Sequence, residues 1–170
     1  MSINRRNVIQ SVAALAAPGL GLSAWAKGAE APLPKLGSAL PLPALTLLDG
    51  RRWTPAEAEG KVLVVYWWAS WCPFCAVQSP HIEALWRAQQ AQGLQVLALS
   101  IDRQATAAVN YMKAKGYSFP AGLLTPEAAK VLPKPVGLPV VVVRGRDGKV
   151  VFAESGEMFP EDVQDLKKFL

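Results

Sequence analysis

The chain has 170 residues, 51% of them hydrophobic and 18% charged, which is enough apolar material for one sizeable core and excludes a disordered chain. Its 18 basic and 13 acidic side chains give a net charge of +5. Two of those charges, Arg5 and Arg6, lie in a segment expected to be removed. The remaining excess of three is slight and scattered, which excludes a nucleic-acid surface and describes a mildly basic soluble one.

Residues 1–26 follow the order of a secretory signal: Arg5 and Arg6, then no charge from Asn7 to Ala26, then small residues at Ala24 and Ala26. A cut is expected between Ala26 and Lys27. Pro18, Gly19 and Gly21 interrupt the apolar segment and weaken the alternative of an uncleaved membrane anchor. The run Asn4-Arg5-Arg6-Asn7-Val8-Ile9-Gln10 is similar to a twin-arginine export motif, with Asn4 and Val8 in place of the usual Ser/Thr and Phe. The sequence leaves both the twin-arginine and the general secretory route open. With no cysteine near the cut, a lipid anchor is excluded. Export predicts a periplasmic protein in an oxidising compartment, where an exposed dithiol needs an electron supply to stay reduced.

Residues 27–43 hold Pro32, Pro34, Pro41 and Pro43 and predict an extended, proline-rich leader. The domain proper is expected over 44–170. It begins with a strand over 44–48, a turn at Asp49-Gly50 and a returning strand over 51–53. Thr54-Pro55 opens a short helical turn that Gly60 ends. The β-branched and aromatic run over 61–67 predicts a central strand covered on both faces. A helix is expected over 73–92 with Val77, Ile82, Leu85 and Trp86 as its apolar positions, ended by Gly93. A strand over 94–101 and a helix over 105–115 come next, followed by a helix opening at Thr125-Pro126-Glu127. A hairpin over 140–153 turns at Gly145-Arg146-Asp147-Gly148, and a tail helix over 160–170 closes the chain. Strand–helix alternation followed by an antiparallel hairpin predicts a three-layer α/β/α domain with a mixed central sheet and an N-terminal β extension.

Cys72 and Cys75 are the chain's two cysteines. With His81 as the one histidine, a zinc site within one chain is improbable, and Ala76 stands where haem attachment needs histidine. No metal or organic cofactor is expected. A disulfide closing so short a loop removes little chain entropy, so a purely stabilising role is a poor fit. A redox role fits well. Cys72 would follow a strand and begin a helix, where backbone N–H groups and the positive dipole end favour thiolate, the attacking species. Pro73 suits the first helical turn, and Cys75 lies one turn on, able to resolve a mixed disulfide.

Together, Asp49-Gly50, Gly60-Lys61, Trp68-Ala69-Ser70-Trp71-Cys72-Pro73-Phe74-Cys75, Ser100-Ile101-Asp102, Phe119-Pro120, Gly137-Leu138-Pro139 and Asp147-Gly148 resemble the thioredoxin superfamily. More narrowly, residues 36–170 resemble the exported TlpA, ResA and CcmG/DsbE thiol:disulfide oxidoreductases. The resemblance implies a thioredoxin fold and a redox-active Cys72–Cys75 disulfide. It implies a cis-proline at Pro139, a Leu138 backbone that pairs with substrate, and Trp71, Pro73 and Phe74 as contacts beside the disulfide. It also implies a monomer acting on protein thiols or disulfides, apocytochrome c among the candidate clients, with electrons from a membrane thiol reductant. A disulfide-forming oxidant, a peroxiredoxin-like peroxide reductase and a non-catalytic binding module are the alternatives. Ala69 disfavours the peroxidase, because threonine is usual at that place.

Three positions depart from the group's pattern: Gln78 replaces a common glutamate, Tyr66 replaces the buried aspartate of thioredoxins, and Val140 replaces threonine after the proline. No carboxylate is therefore obvious for deprotonating Cys75. Pro80 is expected to kink the helix, His81 to be satisfied or exposed, and Asp102 to cap or border the following helix. Arg144-Gly145-Arg146 is expected to form a solvated hairpin tip.

Overall fold

The computed structural model describes residues 31–170; the signal segment and its expected cut lie outside them. In chain order the strands and helices are β1 (Leu45–Thr46), β2 (Arg52–Trp53), β3 (Val62–Trp68), α1 (Pro73–Gln89), β4 (Leu94–Ser100), α2 (Ala105–Lys115), β5 (Ala121–Leu123), α3 (Pro126–Val131), β6 (Val140–Arg144), β7 (Val150–Ser155) and α4 (Pro160–Asp165). Short 3-10 turns follow β2, α1 and α4. Strand β5 was not expected from the sequence.

The main sheet runs β5-β4-β3-β6-β7, with β3, β4 and β5 parallel and β6 and β7 antiparallel to their neighbours. Every residue of β3 is buried, as a continuous apolar run requires of a strand covered on both faces. Alternation divides it. Val62, Val64, Tyr66 and Trp68 face a core shared with Ile82 and Leu85 of α1, Ala108 of α2 and Val163 of α4. Leu63, Val65 and Trp67 face a second core with Leu45, Leu47, Trp53, Ala58 and Leu132. Three layers result: α1, α2 and α4 on one side, and the β1–β2 hairpin, a 3-10 turn and α3 on the other.

The proline-rich stretch is extended but fastened to the domain. Ala31 N and Val136 N bond across to Lys134 O and Ala31 O, and Val150 exchanges backbone bonds with Gly37 and Ser38 along the edge of β7. Leu40 enters the second core. The hairpin tip differs from expectation too. Arg144 Nη1 and Arg146 Nη1 donate to Ala58 O and Gly60 O, fastening the end of the 3-10 turn and the residues after it to the β6–β7 hairpin.

Candidate active site

β3 ends at Trp68, and a tight turn, Cys72 N to Ala69 O at 3.2 Å, swings the chain into α1. Cys72 is the N-cap, extended at φ −86° and ψ 115°, and Pro73 at the first helical position sacrifices no hydrogen bond. Cys72 Sγ accepts from Cys75 N at 3.2 Å, the place a capping hydroxyl usually fills. The sulfur therefore already sits on the helix's open N–H groups, where negative charge is stabilised. Cys72 and Cys75 form a disulfide with Cα atoms 5.2 Å apart. Cys72 is 5% exposed and Cys75 1%, so Cys72 is the half nearer to solvent.

The rim above this sunken pair is apolar. Trp71 is 65% exposed and Phe74 56%, in contrast to Trp67 and Trp68, which are core residues. Val77 belongs to this exposed side, not to the core as expected. It stands two residues from Cys75, roughly 200° round a helix of 3.6 residues per turn, whereas Cys75, Ser79, Ile82 and Leu85 keep the buried stripe.

The Leu138–Pro139 peptide is cis, and Pro139 is buried. Pairing of Trp67 with Val140 brings this peptide to the sheet end from which Cys72 emerges. Its loop is braced: Pro139 O accepts from Gly156 N at 2.8 Å, and Val136 O accepts from Ser155 Oγ at 2.6 Å. Leu138 is half-buried and packs against both cores.

Asp102 borders α2 without capping it; the N-cap is Gln104. Its carboxylate instead accepts from Ser70 N at 3.1 Å, Ser70 Oγ at 2.7 Å and Ser100 Oγ at 2.7 Å. Three donors outcompete a cap, and together they hold the Ser70-Trp71 approach to Cys72 against the end of β4. This role was missed; the only signal for it was Ser100-x-Asp102 closing an apolar strand.

Behind Cys75, the Tyr66 hydroxyl meets Ser79 Oγ at 2.9 Å and donates to Cys75 O at 3.5 Å. Burial pushes the Tyr66 phenol well above its ordinary range, outweighing the Ser79 bond, so it stays protonated and neutral. Gln78 is fully buried and accepts from Met158 N at 2.7 Å through Oε1, while Nε2 has no partner among the described residues. His81 is half-buried, and its carbonyl accepts from Gln164 Nε2. No group of three or more His, Cys, Asp or Glu side chains able to hold a metal occurs among the described residues.

A helix-capping disulfide beside a cis-proline at a sheet end is a site for thiol–disulfide exchange. Residues 35–170 match the Redoxin family. The chain belongs to that family. It is similar to the thiol-disulfide oxidoreductase ResA of Bacillus subtilis, 27% identical over 138 residues that cover 79% of this chain and 75% of the relative. ResA of Geobacillus thermodenitrificans is 28% identical over 131 residues, 76% of this chain and 74% of the relative. Among solved structures, a thioredoxin-family thiol:disulfide interchange protein from Chlorobium tepidum superposes with a TM-score of 0.72 at 23% identity, covering 78% of this chain and 94% of that one. That likeness shows the thioredoxin fold. This Redoxin-family chain is a thiol:disulfide oxidoreductase.

Proposed function

We propose that the protein is an exported reductant of protein disulfides, working in the periplasm as a monomer. Reduced Cys72 attacks a client disulfide, releasing one client thiol and leaving a mixed disulfide. Cys75 then attacks Cys72 Sγ, releasing the second client thiol and closing the Cys72–Cys75 bond. Two electrons pass to the client, and the two thiol protons go with them. A membrane thiol reductant restores the dithiol, and apocytochrome c is a candidate client. Trp71, Pro73, Phe74, Leu138 and Pro139 form the contact surface.

The observation that carries this reading is Cys72 Sγ at the N-cap of α1, accepting a backbone N–H, with Cys75 buried one turn beneath it. It supports Cys72 as attacker and Cys75 as resolver. The likeness to the thiol-disulfide oxidoreductase ResA supports the exchange chemistry, and the reducing direction is the part that the potential tests. The signal order of residues 1–26 supports export, and no helix of the described residues is long and apolar enough to cross a membrane.

A second reading comes from the same sulfur. A cap that stabilises the Cys72 thiolate stabilises the reduced protein, which raises the potential toward that of an oxidant. Equilibration of the mature domain with glutathione buffers separates the two. A potential near or below about −250 mV supports the reductant, and one near about −130 mV makes the protein a disulfide-forming oxidant. In Cys75→Ser the mixed disulfide with a client is expected to persist; its absence would remove the assigned roles.

A further inference from the structure

The chain carries excess positive charge, yet one groove reverses the sign. It lies between β7 and α4, has a volume of about 410 Å³, and is walled by Phe152, Met158 and Phe159. Four of the chain's 13 acidic residues line it, Glu154, Glu157, Asp162 and Asp165, against one base, Lys168. All four are exposed, and none accepts a hydrogen bond or forms an ion pair within the described residues. Phe159 at the groove's wall is 75% exposed, an isolated aromatic ring with no core to join.

The groove is fastened to both halves of the redox site. Gly156 N donates to the carbonyl of Pro139 at 2.8 Å, and Met158 N donates to Gln78 Oε1 at 2.7 Å, one helical turn from Cys75. These bonds tie the loop that opens the groove to the cis-proline segment and to α1, so a polypeptide whose disulfide lies over Cys72 can run on toward it. Volume, aromatic wall and unpaired carboxylates fit one chemistry: an extended segment with a bulky apolar side chain beside lysine or arginine.

We propose that this groove is a docking site for a basic, apolar-anchored segment of the client polypeptide, adjacent to the scissile disulfide. The proposal rests on the redox reading above. Its charge selects by complementarity, attracting basic segments and repelling acidic ones.

The test uses two synthetic peptides, each with one disulfide, flanked by Phe and Arg in one and by Phe and Glu in the other. Their rates of reduction by the reduced protein are each referred to that protein's own rate with bis(2-hydroxyethyl) disulfide, a linear and uncharged acceptor. The protein's overall positive charge alone would favour the acidic peptide, so the expected preference, about tenfold for the basic peptide at low salt, identifies the groove. It is expected to shrink as salt is raised and to fall to about twofold or less in Glu154→Gln/Glu157→Gln/Asp165→Asn. The single Glu157→Gln replacement, expected to lower the preference partway, serves if the triple variant does not fold. Equal rates for the two peptides, or a preference that survives the substitutions, would overturn the groove while leaving the redox reading intact. No exchange even with bis(2-hydroxyethyl) disulfide would overturn both.

Discussion

Gln78 has no exposed surface, and one bond orients its amide: Met158 N is a donor, so Oε1 must face it and Nε2 is left without a partner among the described residues. An unpaired buried donor costs about 1–3 kcal/mol, and the position offers Cys75 no ionisable group. Tyr66 cannot substitute, because its hydroxyl is held protonated and already bonded to Ser79. The proton of Cys75 must then go to water or to the client. Glu at position 78 keeps an acceptor for Met158 N and adds a carboxyl that burial pushes upward. Gln78→Glu is expected to give the exchange rate a new inflection above the ordinary carboxylate range, read from stopped-flow rates across pH. An unchanged profile would mean that proton removal from Cys75 does not limit exchange. Much of this was legible: two cysteines at fixed spacing, the proline after the first, and Gln78 and Tyr66 as departures are all matters of residue identity. What Asp102 and Met158 do was not, because their partners lie 32 and 80 residues away.

α1 shows why patterns at the scale of an element can mislead. Its buried stripe includes Gln78, Ser79 and Glu83, each bonded to a tertiary partner although Gln78 only through Oε1, while Val77, Phe74 and Pro73 face solvent. Glu83 illustrates the arrangement. It accepts from Ser118 Oγ and N, from Phe119 N and from Arg87, and so fastens α1 to the segment that enters β5. Burial pushes its carboxyl upward, but those hydrogen bonds outweigh burial and hold it below the ordinary glutamate range. A lowered folded pKa contributes stability that is full above the unfolded value and is lost as pH falls through the folded one. Glu83→Gln places an amide N–H₂ against donors and is expected to cost about 2 kcal/mol at neutral pH. It should also flatten the acid limb of stability, so that variant and parent converge on going to low pH. Denaturant melts at neutral and acid pH check this, and a constant gap between the two proteins would show that Glu83 is not the linked group. Strand β5 lies at the end of the same connection. Ala121-Gly122-Leu123 is too short to carry a period, and it becomes a strand by pairing with Ala98, Leu99 and Ser100 of β4. Gly122 also admits the β1–β2 hairpin. A Cβ there would stand 2.2 Å from Leu45 Cδ1, a close approach that no local pattern announces.

At the scale of the whole molecule, the N-terminal stretch lies at one end of the strand order, along β7, whereas the redox helix follows the central strand β3. The parallel half of the sheet presents Cys72 at its end, whereas β7 on the other side is an edge with unpaired backbone groups. Residues 37–40 cover the first part of that edge, through Gly37 N to Val150 O, Val150 N to Ser38 O and Leu40 N to Gly148 O. Proline spacing made the extended conformation readable, but pairing along a strand edge is a backbone event with no side-chain signature. A chain beginning at Ala44 would lose these bonds and the Leu40 side chain, whose burial alone is worth about 2 kcal/mol. Compared with a chain beginning at Lys27, it is expected to melt about 5 °C lower or more. Its opened edge is also expected to promote self-association, whereas the longer chain stays monomeric. Thermal melts and sedimentation at raised concentration measure both effects. Because the disulfide belongs to the other half of the sheet, the potential of the Cys72–Cys75 pair should be the same in the two chains. Equal melting temperatures and equal sedimentation would show that residues 31–43 lie on the domain without supporting it. A shifted potential with an unchanged melt would place their influence at the redox site instead.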